Sequence, residues 1–494
     1  MRESGILLPI SALPSKYGIG CFSKEAYQFV DFLKAAGQKK WQILPMGPTS
    51  YGDSPYQSFS TFAGNPYFID LDTLRKERYL TKKECEAYDF GSREDRVDYE
   101  KLYLHRFSLL RKAYCRFQKK PEKKYEAFVQ KNAFWLEDYG LFMALKNHYH
   151  GAAWKDWDKE LRSREPSALE KAKAVFAKEI DFYRFQQYMF YKQWKKLHRY
   201  ANKNGIQIIG DLPIYVAFDS ADTWASPELF QFTETHEPTA VAGCPPDAFS
   251  KTGQLWGNPL YDWKYHKETG YAWWIRRVKS GLKMCDMLRI DHFRGFDEYY
   301  SIPYGDKTAE FGTWKKGPGI DLFHAIWRAV GKENIIAEDL GYLTDSVMKL
   351  LKDTGYPGMK IIQFAFDSRE SANYLPHTYP TSCVVYTGTH DNDTTKGWFL
   401  EAPRECRNFA REYLQKREMD PDHLSWDFIA MAMRSVANLC IIPIQDYLCL
   451  GSEARINTPS TLGGNWVWRL KKGQLTDRLA GKIRNMTKLY GRLS

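Results

Sequence analysis

Three short acidic phrases in the middle of the chain carry the residue types that bond-breaking chemistry needs: Arg289-Ile290-Asp291-His292-Phe293, Ala337-Glu338-Asp339-Leu340-Gly341 and Thr389-His390-Asp391-Asn392-Asp393. Each follows an apolar, strand-like run: Met287 and Leu288, Ile335 and Ile336, and Cys383-Val384-Val385-Tyr386. Side chains alternate along a strand, so Arg289 and Asp291 share a face. A guanidinium there favours the ionised carboxylate and keeps Asp291 available as a nucleophile. Glu338 ends its strand where partial burial and a nearby anionic Asp raise its pKa, as a general acid requires. Asp391 is suited to gripping paired hydroxyls, more tightly as positive charge develops at an anomeric carbon. Taken singly, each has a plainer reading: a structural Arg–Asp pair, a Glu that caps a helix, an acid at a helix N-terminus. Taken together at three strand ends, they match retaining glycosidic-bond chemistry, in which nucleophile and acid/base stand about 5 Å apart.

Something must bring three distant strand ends to one place. Eight apolar runs followed by turn or polar residues recur along the chain: Ile6–Ile10, Lys40–Leu44, Gln207–Ile209, Met287–Ile290, Asn334–Ile336, Lys360–Phe366, Cys383–Tyr386 and Cys440–Ile444. Helical patterns such as Ser23–Ala36 and Asp321–Val330 lie between them, which predicts parallel β/α units. Eight such units close into a (β/α)8 TIM barrel, whose active site is built by the loops after the strands. The expected architecture is an α/β chain with one catalytic barrel over 1–494. It carries large, mainly helical insertions after strands 2 and 3 and no C-terminal β-sandwich domain.

The first insertion, 46–206, holds long charged amphipathic patterns such as Asp181–Asn202 and reads as a helical subdomain on the active-site side. Its opening, Tyr51-Gly52-Asp53-Ser54-Pro55-Tyr56, is too rich in turn formers for a helix and reads as an ordered loop. The second, 212–286, reads as a loop and helix subdomain over the cleft. It contains Gly243-Cys244-Pro245-Pro246-Asp247-Ala248-Phe249 and Gln254-Leu255-Trp256-Gly257-Asn258-Pro259.

Composition excludes several classes. The chain has 494 residues, 44% of them hydrophobic, with a mean hydropathy of -0.54; no apolar run approaches the roughly 20 residues that span a bilayer. Nine cysteines are scattered, none closer together than Cys440 and Cys449, so neither a CxxC pair nor a zinc knuckle is present. Reduced thiols in a cytoplasmic protein are the expectation. The net charge of +11 is spread over helical stretches such as Lys101–Lys124 and Lys192–Lys203, which describes solvated faces rather than a nucleic-acid site. Sixteen Trp and 32 Tyr, many beside loop formers, supply flat rings of the kind that cover a pyranose C–H face.

Four blocks together resemble a known family: Asp211-Leu212-Pro213-Ile214-Tyr215-Val216, Leu288-Arg289-Ile290-Asp291-His292-Phe293-Arg294-Gly295-Phe296, Ala337-Glu338-Asp339-Leu340-Gly341 and Thr389-His390-Asp391-Asn392. They are similar to the 4-α-glucanotransferases (amylomaltases, disproportionating enzymes) of glycoside hydrolase family 77, in the α-amylase clan. The likeness runs from Gly5-Ile6-Leu7-Leu8-Pro9 to Gly463-Gly464-Asn465-Trp466.

The resemblance implies Asp291 as nucleophile, Glu338 as acid/base and Asp391 as the transition-state carboxylate. It implies Arg289, His292 and His390 on the same sugar, with Asp211 supporting the site. Tyr56, Gln254, Trp256 and Asn465 are implied glucan contacts, Pro245, Pro246, Asp247 and Phe249 part of a loop over the cleft, and Tyr51 part of a second glucan site. No metal, cofactor, nucleic acid or membrane partner is expected, only an α-1,4-glucan donor and a glucose or maltooligosaccharide acceptor. Asp211 is followed by Leu-Pro-Ile-Tyr-Val rather than the Asn-His pair of calcium-bearing α-amylases, and only 447–494 follows Asp446. The start close to the first strand resembles the short bacterial form. Because the chemistry alone does not exclude water as acceptor, hydrolysis of α-1,4-glucans stands as the alternative.

Overall fold

Eight short strands of three to six residues pair in parallel, each beside its neighbour in the sequence: Glu3–Leu7, Lys40–Gln42, Gln207–Leu212, Met287–Ile290, Ile335–Ala337, Gly358–Ile361, Cys383–Tyr386 and Leu439–Pro443. The eighth returns to the first, with Ser4 opposite Cys440 and Ile6 opposite Ile442. The computed structural model describes residues 2–493, apart from Tyr51, 247–249, Glu333, Tyr342 and 367–373. Strands buried on both faces read as continuous apolar runs, which is why these stretches were legible.

The ring closes between the fifth and sixth strands through side-chain help. A main-chain bond, Ala337 N–H to Pro357 O at 3.0 Å, crosses the start of this seam, and the Asp339 carboxylate takes up the Met359 N–H at 2.6 Å. Asp339 lies so close to the sixth strand that a Cβ on Gly358 would stand 2.3 Å from its Oδ2. The third residue of the Ala337-Glu338-Asp339 phrase is therefore structural.

Local signals set the helices. Thr344 caps Asp345–Thr354 by accepting the Val347 N–H, and Gly355 ends it at φ 68°, a left-handed position that suits glycine. The 46–206 insertion contributes three long helices, Tyr99–Phe117, Tyr125–His148 and Ala177–Lys203. The last two share an aromatic core with Trp154, Trp157 and Trp224, separate from the barrel core. Buried glutamines on the third helix hold the loop that leads to it: Gln187 exchanges two bonds with the Gly64 main chain, and Gln193 accepts the Asp70 N–H.

Most strand boundaries differ by a residue or more from the reading of the sequence, the first and sixth by the most. The first strand lies at Glu3–Leu7 rather than Ile6–Ile10, because Pro9 leads directly into a 3-10 turn at Ile10–Ala12. The sixth ends at Ile361, and Ile362–Phe366 coils into a 3-10 helix. The 212–286 segment, expected as loop and helix, also supplies two strands, Ala240–Cys244 and Gln254–Pro259. They join Glu298–Pro303 and Thr313–Lys316 in a four-stranded antiparallel sheet beside the barrel mouth. No helix among the described residues is long and apolar enough to cross a membrane.

Replacing Asp339 by Ala leaves the buried Met359 N–H without an acceptor, a cost of about 1–3 kcal/mol. Thermal unfolding is expected to fall clearly for Asp339→Ala and less for Asp339→Asn, whose amide oxygen can still accept; equal melting of both with wild type would show that the seam does not need this bond.

Candidate active site

The fourth strand presents Arg289 to the barrel interior directly beside Asp211 of the third, since the two are register partners. Arg289 is the hub of the barrel mouth. Its Nη1 donates to both Asp211 oxygens at 2.8 and 2.7 Å and to Asp291 Oδ1 at 3.2 Å, while Nη2 donates to Glu338 Oε2 at 2.7 Å. Tyr56, from the turn-rich loop after the second strand, adds a bond from its hydroxyl to Asp211 Oδ2 at 2.9 Å.

Backbone geometry fixes the two upper acids. Past the strand ends the ladder continues, with Glu338 N–H donating to Ile290 O and Phe293 N–H to Glu338 O. His292 takes φ 48°, uncommon for a non-glycine residue, and its N–H donates to Glu338 Oε2 at 2.8 Å. Asp291 and Glu338 are thus neighbours above one guanidinium, joined by a direct hydrogen bond between their carboxyls.

The proton balance of this pair is opposite to the expectation from sequence. Burial, and then the Glu338 charge, push the Asp291 carboxyl well above the usual carboxylate range. Glu338 feels burial too, but Arg289 and the His292 N–H outweigh it and bring its carboxyl below that range. Arg289 lies nearer to Glu338 than to Asp291, and only Glu338 has the extra amide donor. These surroundings favour the proton on Asp291 over Glu338, and the two carboxyls titrate as a coupled pair.

Asp391 lies on the bend after the seventh strand, where Asn392 Oδ1 takes the Thr389 N–H and hydroxyl. Its side chain is 42% exposed, and His390 Nε2 lies 3.2 Å from Oδ2. Burial among the surrounding groups opposes its charge, yet His390, Asn457 and Arg289 prevail and hold the carboxyl well below its ordinary value. Asp391 is therefore ionised.

Rings wall this site. Tyr56 stacks on His390 at 5.2 Å between centroids, and Trp466 packs against both at 5.8 and 6.0 Å. Trp256 meets His292 edge-on at 4.9 Å, and its indole N–H donates to Gln254. Burial lowers the His292 imidazole to about 4, so it is neutral at pH 7, and its Nε2 makes no hydrogen bond among the described residues.

Some of the expected site residues are bonded within the protein. Arg289 and Asp211 have side chains only 2% and 0% exposed and lie beneath the carboxylates. Asn465 spends its amide on its own loop, accepting the Thr458 N–H and donating to the Thr461 main chain. Pro245 and Pro246 follow the Ala240–Cys244 strand; Tyr51, Asp247 and Phe249 lie outside the described residues. Three residues absent from the sequence reading of the site belong to it: Trp466, Asn457, which donates to Asp391 Oδ1 at 2.6 Å, and Arg455, which donates to the Asp391 carbonyl. The only sequence signal for them is their place, Arg455-Ile456-Asn457, shortly after the last barrel strand. No group of His, Cys, Asp and Glu among the described residues is arranged to hold a metal ion.

Comparison with known proteins agrees with this geometry. The glycoside hydrolase family 77 model, described as 4-alpha-glucanotransferase, matches residues 8–476. A 4-alpha-glucanotransferase of Clostridium butyricum is 52% identical over 485 residues, covering 98% of this chain and 99% of its own. One from Thermus thermophilus is 46% identical, covering 100% and 99%. Among solved structures, the amylomaltase from Streptococcus agalactiae in complex with acarbose superposes with a TM-score of 0.97 at 42% identity, over 100% of both chains. With a family match across nearly its whole length and a curated relative 52% identical over 98% of it, the chain belongs to the 4-alpha-glucanotransferases of glycoside hydrolase family 77.

Proposed function

We propose that Asp291, Glu338 and Asp391 carry out the 4-alpha-glucanotransferase reaction by retaining double displacement. The observation that carries this reading is the joining of Asp291 and Glu338 above the Arg289 guanidinium. Neighbouring carboxyls belong to the retaining geometry of about 5–5.5 Å, not to the separation of about 6.5–9.5 Å that admits a water between them. An ionised Asp291 oxygen attacks the anomeric carbon as the bond to the departing 4-oxygen breaks, and the Glu338 proton goes to that oxygen. The acceptor 4-hydroxyl then attacks the same carbon, gives its proton to Glu338 and releases Asp291. The first step requires the shared proton on Glu338, and a hop from Asp291 delivers it there once a donor glycosidic oxygen offers Glu338 a basic partner; the second requires Glu338 as the carboxylate that the first step leaves.

Asp391, ionised and open to the cleft, grips hydroxyls of the sugar undergoing substitution and is rewarded most when that ring is cationic. The neutral His292 ring offers its unpartnered nitrogen to the same sugar, while Tyr56, Trp256 and Trp466 supply apolar faces for glucose units. Pro245 and Pro246 begin the loop that we assign, with Asp247 and Phe249, to the cover of the cleft; Tyr51 is assigned to a second glucan site. Arg289 and Asp211 position the acids from below. Donor and acceptor are α-1,4-glucan and glucose or maltooligosaccharide. Scattered cysteines, most of them buried, suit a reducing cytoplasm.

Incubation with maltotriose alone is expected to give glucose and a ladder of longer maltooligosaccharides; reducing ends that rise steadily without longer products would instead mark a hydrolase. Asp291→Asn and Asp391→Asn should each lower disproportionation by at least about a thousandfold, roughly 4 kcal/mol of transition-state stabilisation, while glucan binding stays measurable by calorimetry. Full turnover in either variant would refute its assignment.

The dyad also predicts a pH signature. kcat/KM should fall on the alkaline side as the pair loses its shared proton and on the acid side as it gains a second one. With a glycosyl fluoride donor, whose leaving group needs no acid, Glu338→Gln should lose the alkaline limb of kcat/KM; a limb that persists would place that titration elsewhere.

A further inference from the structure

Asp391 is held differently from the other acids. Its carboxylate lies against His390 and is clasped by a segment that follows the eighth strand. Asn457 Nδ2 donates to Oδ1 at 2.6 Å, while His390 Nε2 faces Oδ2 at 3.2 Å, so both oxygens are engaged. Asn457 is itself fixed: its N–H donates to the His390 carbonyl at 3.1 Å, and its own carbonyl accepts Arg455 Nε at 2.7 Å. The same guanidinium reaches back from Nη2 to the Asp391 carbonyl at 2.8 Å. Arg455 thus ties the two main-chain segments together through their carbonyls.

The choice of groups matters physically. A carboxylate that is 42% exposed on a bend can turn about both side-chain torsions unless donors fix its plane. A neutral amide does this without forming the ion pair that would weaken the carboxylate's field at a cationic carbon. The positive charge of Arg455 is close, yet these hydrogen bonds go to peptide oxygens.

We propose that Asn457 is a positioning residue for Asp391, setting its carboxylate plane while leaving its charge intact, with Arg455 locking Asn457 onto the Asp391 main chain. This rests on the reading above that Asp391 serves the transition state. Misplacing such a group by about 1 Å can cost on the order of a hundredfold.

The test is steady-state disproportionation of maltotriose by Asn457→Ala and Asn457→Asp across about pH 5 to 8, with Asp391→Asn alongside. Asn457→Ala should lose about 10–100-fold in kcat, with KM changed by less than about threefold. Asn457→Asp is isosteric and preserves the packing. When protonated it donates to Asp391 as the amide does, and when ionised it repels it. Relative to wild type, its kcat should be partly retained at the acid end and fall as pH rises through the titration of the new pair, which faces Arg455 and His390. A ratio to wild type that stays constant with pH for Asn457→Asp, or a kcat for Asn457→Ala within about threefold of wild type, would overturn the proposal. Should Asp391→Asn itself keep full turnover, the Asp391 reading fails and this inference with it; if Asp391→Asn is inactive and the Asn457 variants behave normally, only this inference fails.

Discussion

The whole barrel mouth is organised by one buried guanidinium. Arg289 has almost no exposed surface, cannot give up its charge, and spends its donors on Asp211, Asp291 and Glu338. Asp211, fully buried, balances the cation from below, and Tyr56 completes its hydrogen bonds. Above it, Asp291 and Glu338 hold one negative charge and one proton between them. Removing one member of such a cluster leaves the others uncompensated in a dry place, where breaking a buried pair costs about 3–5 kcal/mol. The need to keep these charges matched holds the third, fourth and fifth strand ends in one arrangement.

A proton shared between two acids is what a two-step substitution requires, because one group must be a base when the other is an acid and the roles must cycle. The surroundings favour the proton on Asp291, the group that the proposed mechanism requires to lose it.

Around this hub the remaining contacts come from segments outside the barrel. Tyr56 arrives from the loop after the second strand, Trp256 from the antiparallel sheet, and Trp466, Asn457 and Arg455 from the stretch after the eighth. Trp466 sits at φ 62°, with its N–H on the Ile456 carbonyl and its own carbonyl accepting the Tyr99 hydroxyl. Residues held in such sparsely populated backbone regions persist where the surroundings over-determine them, which fits a wall that must keep its shape. Rigid strands place the acids, and braced loops place the rings that wall the site.

Much of this was readable before any coordinates. Parallel barrel strands are short apolar runs, so all eight announced themselves, and the carboxylates at the ends of the fourth, fifth and seventh stood out because charge at the end of such a run needs a reason. The antiparallel sheet was hidden because its strands carry Gly257, Pro259 and the polar Thr313-Trp314-Lys315-Lys316, which break the alternation that marks a strand. Asn457 was hidden because a loop amide has no periodicity and finds its partner 66 positions away. What the sequence by itself determined was the inventory: which acids, on which strands, in which kind of barrel. Only the tertiary structure decided the protonation pattern and the division of labour, with Arg289 and Asp211 beneath the site and the proton favoured on Asp291. Those depend on distances of a few ångströms among groups from different strands and loops, where desolvation and charge compete, and spacing along the chain does not encode that competition.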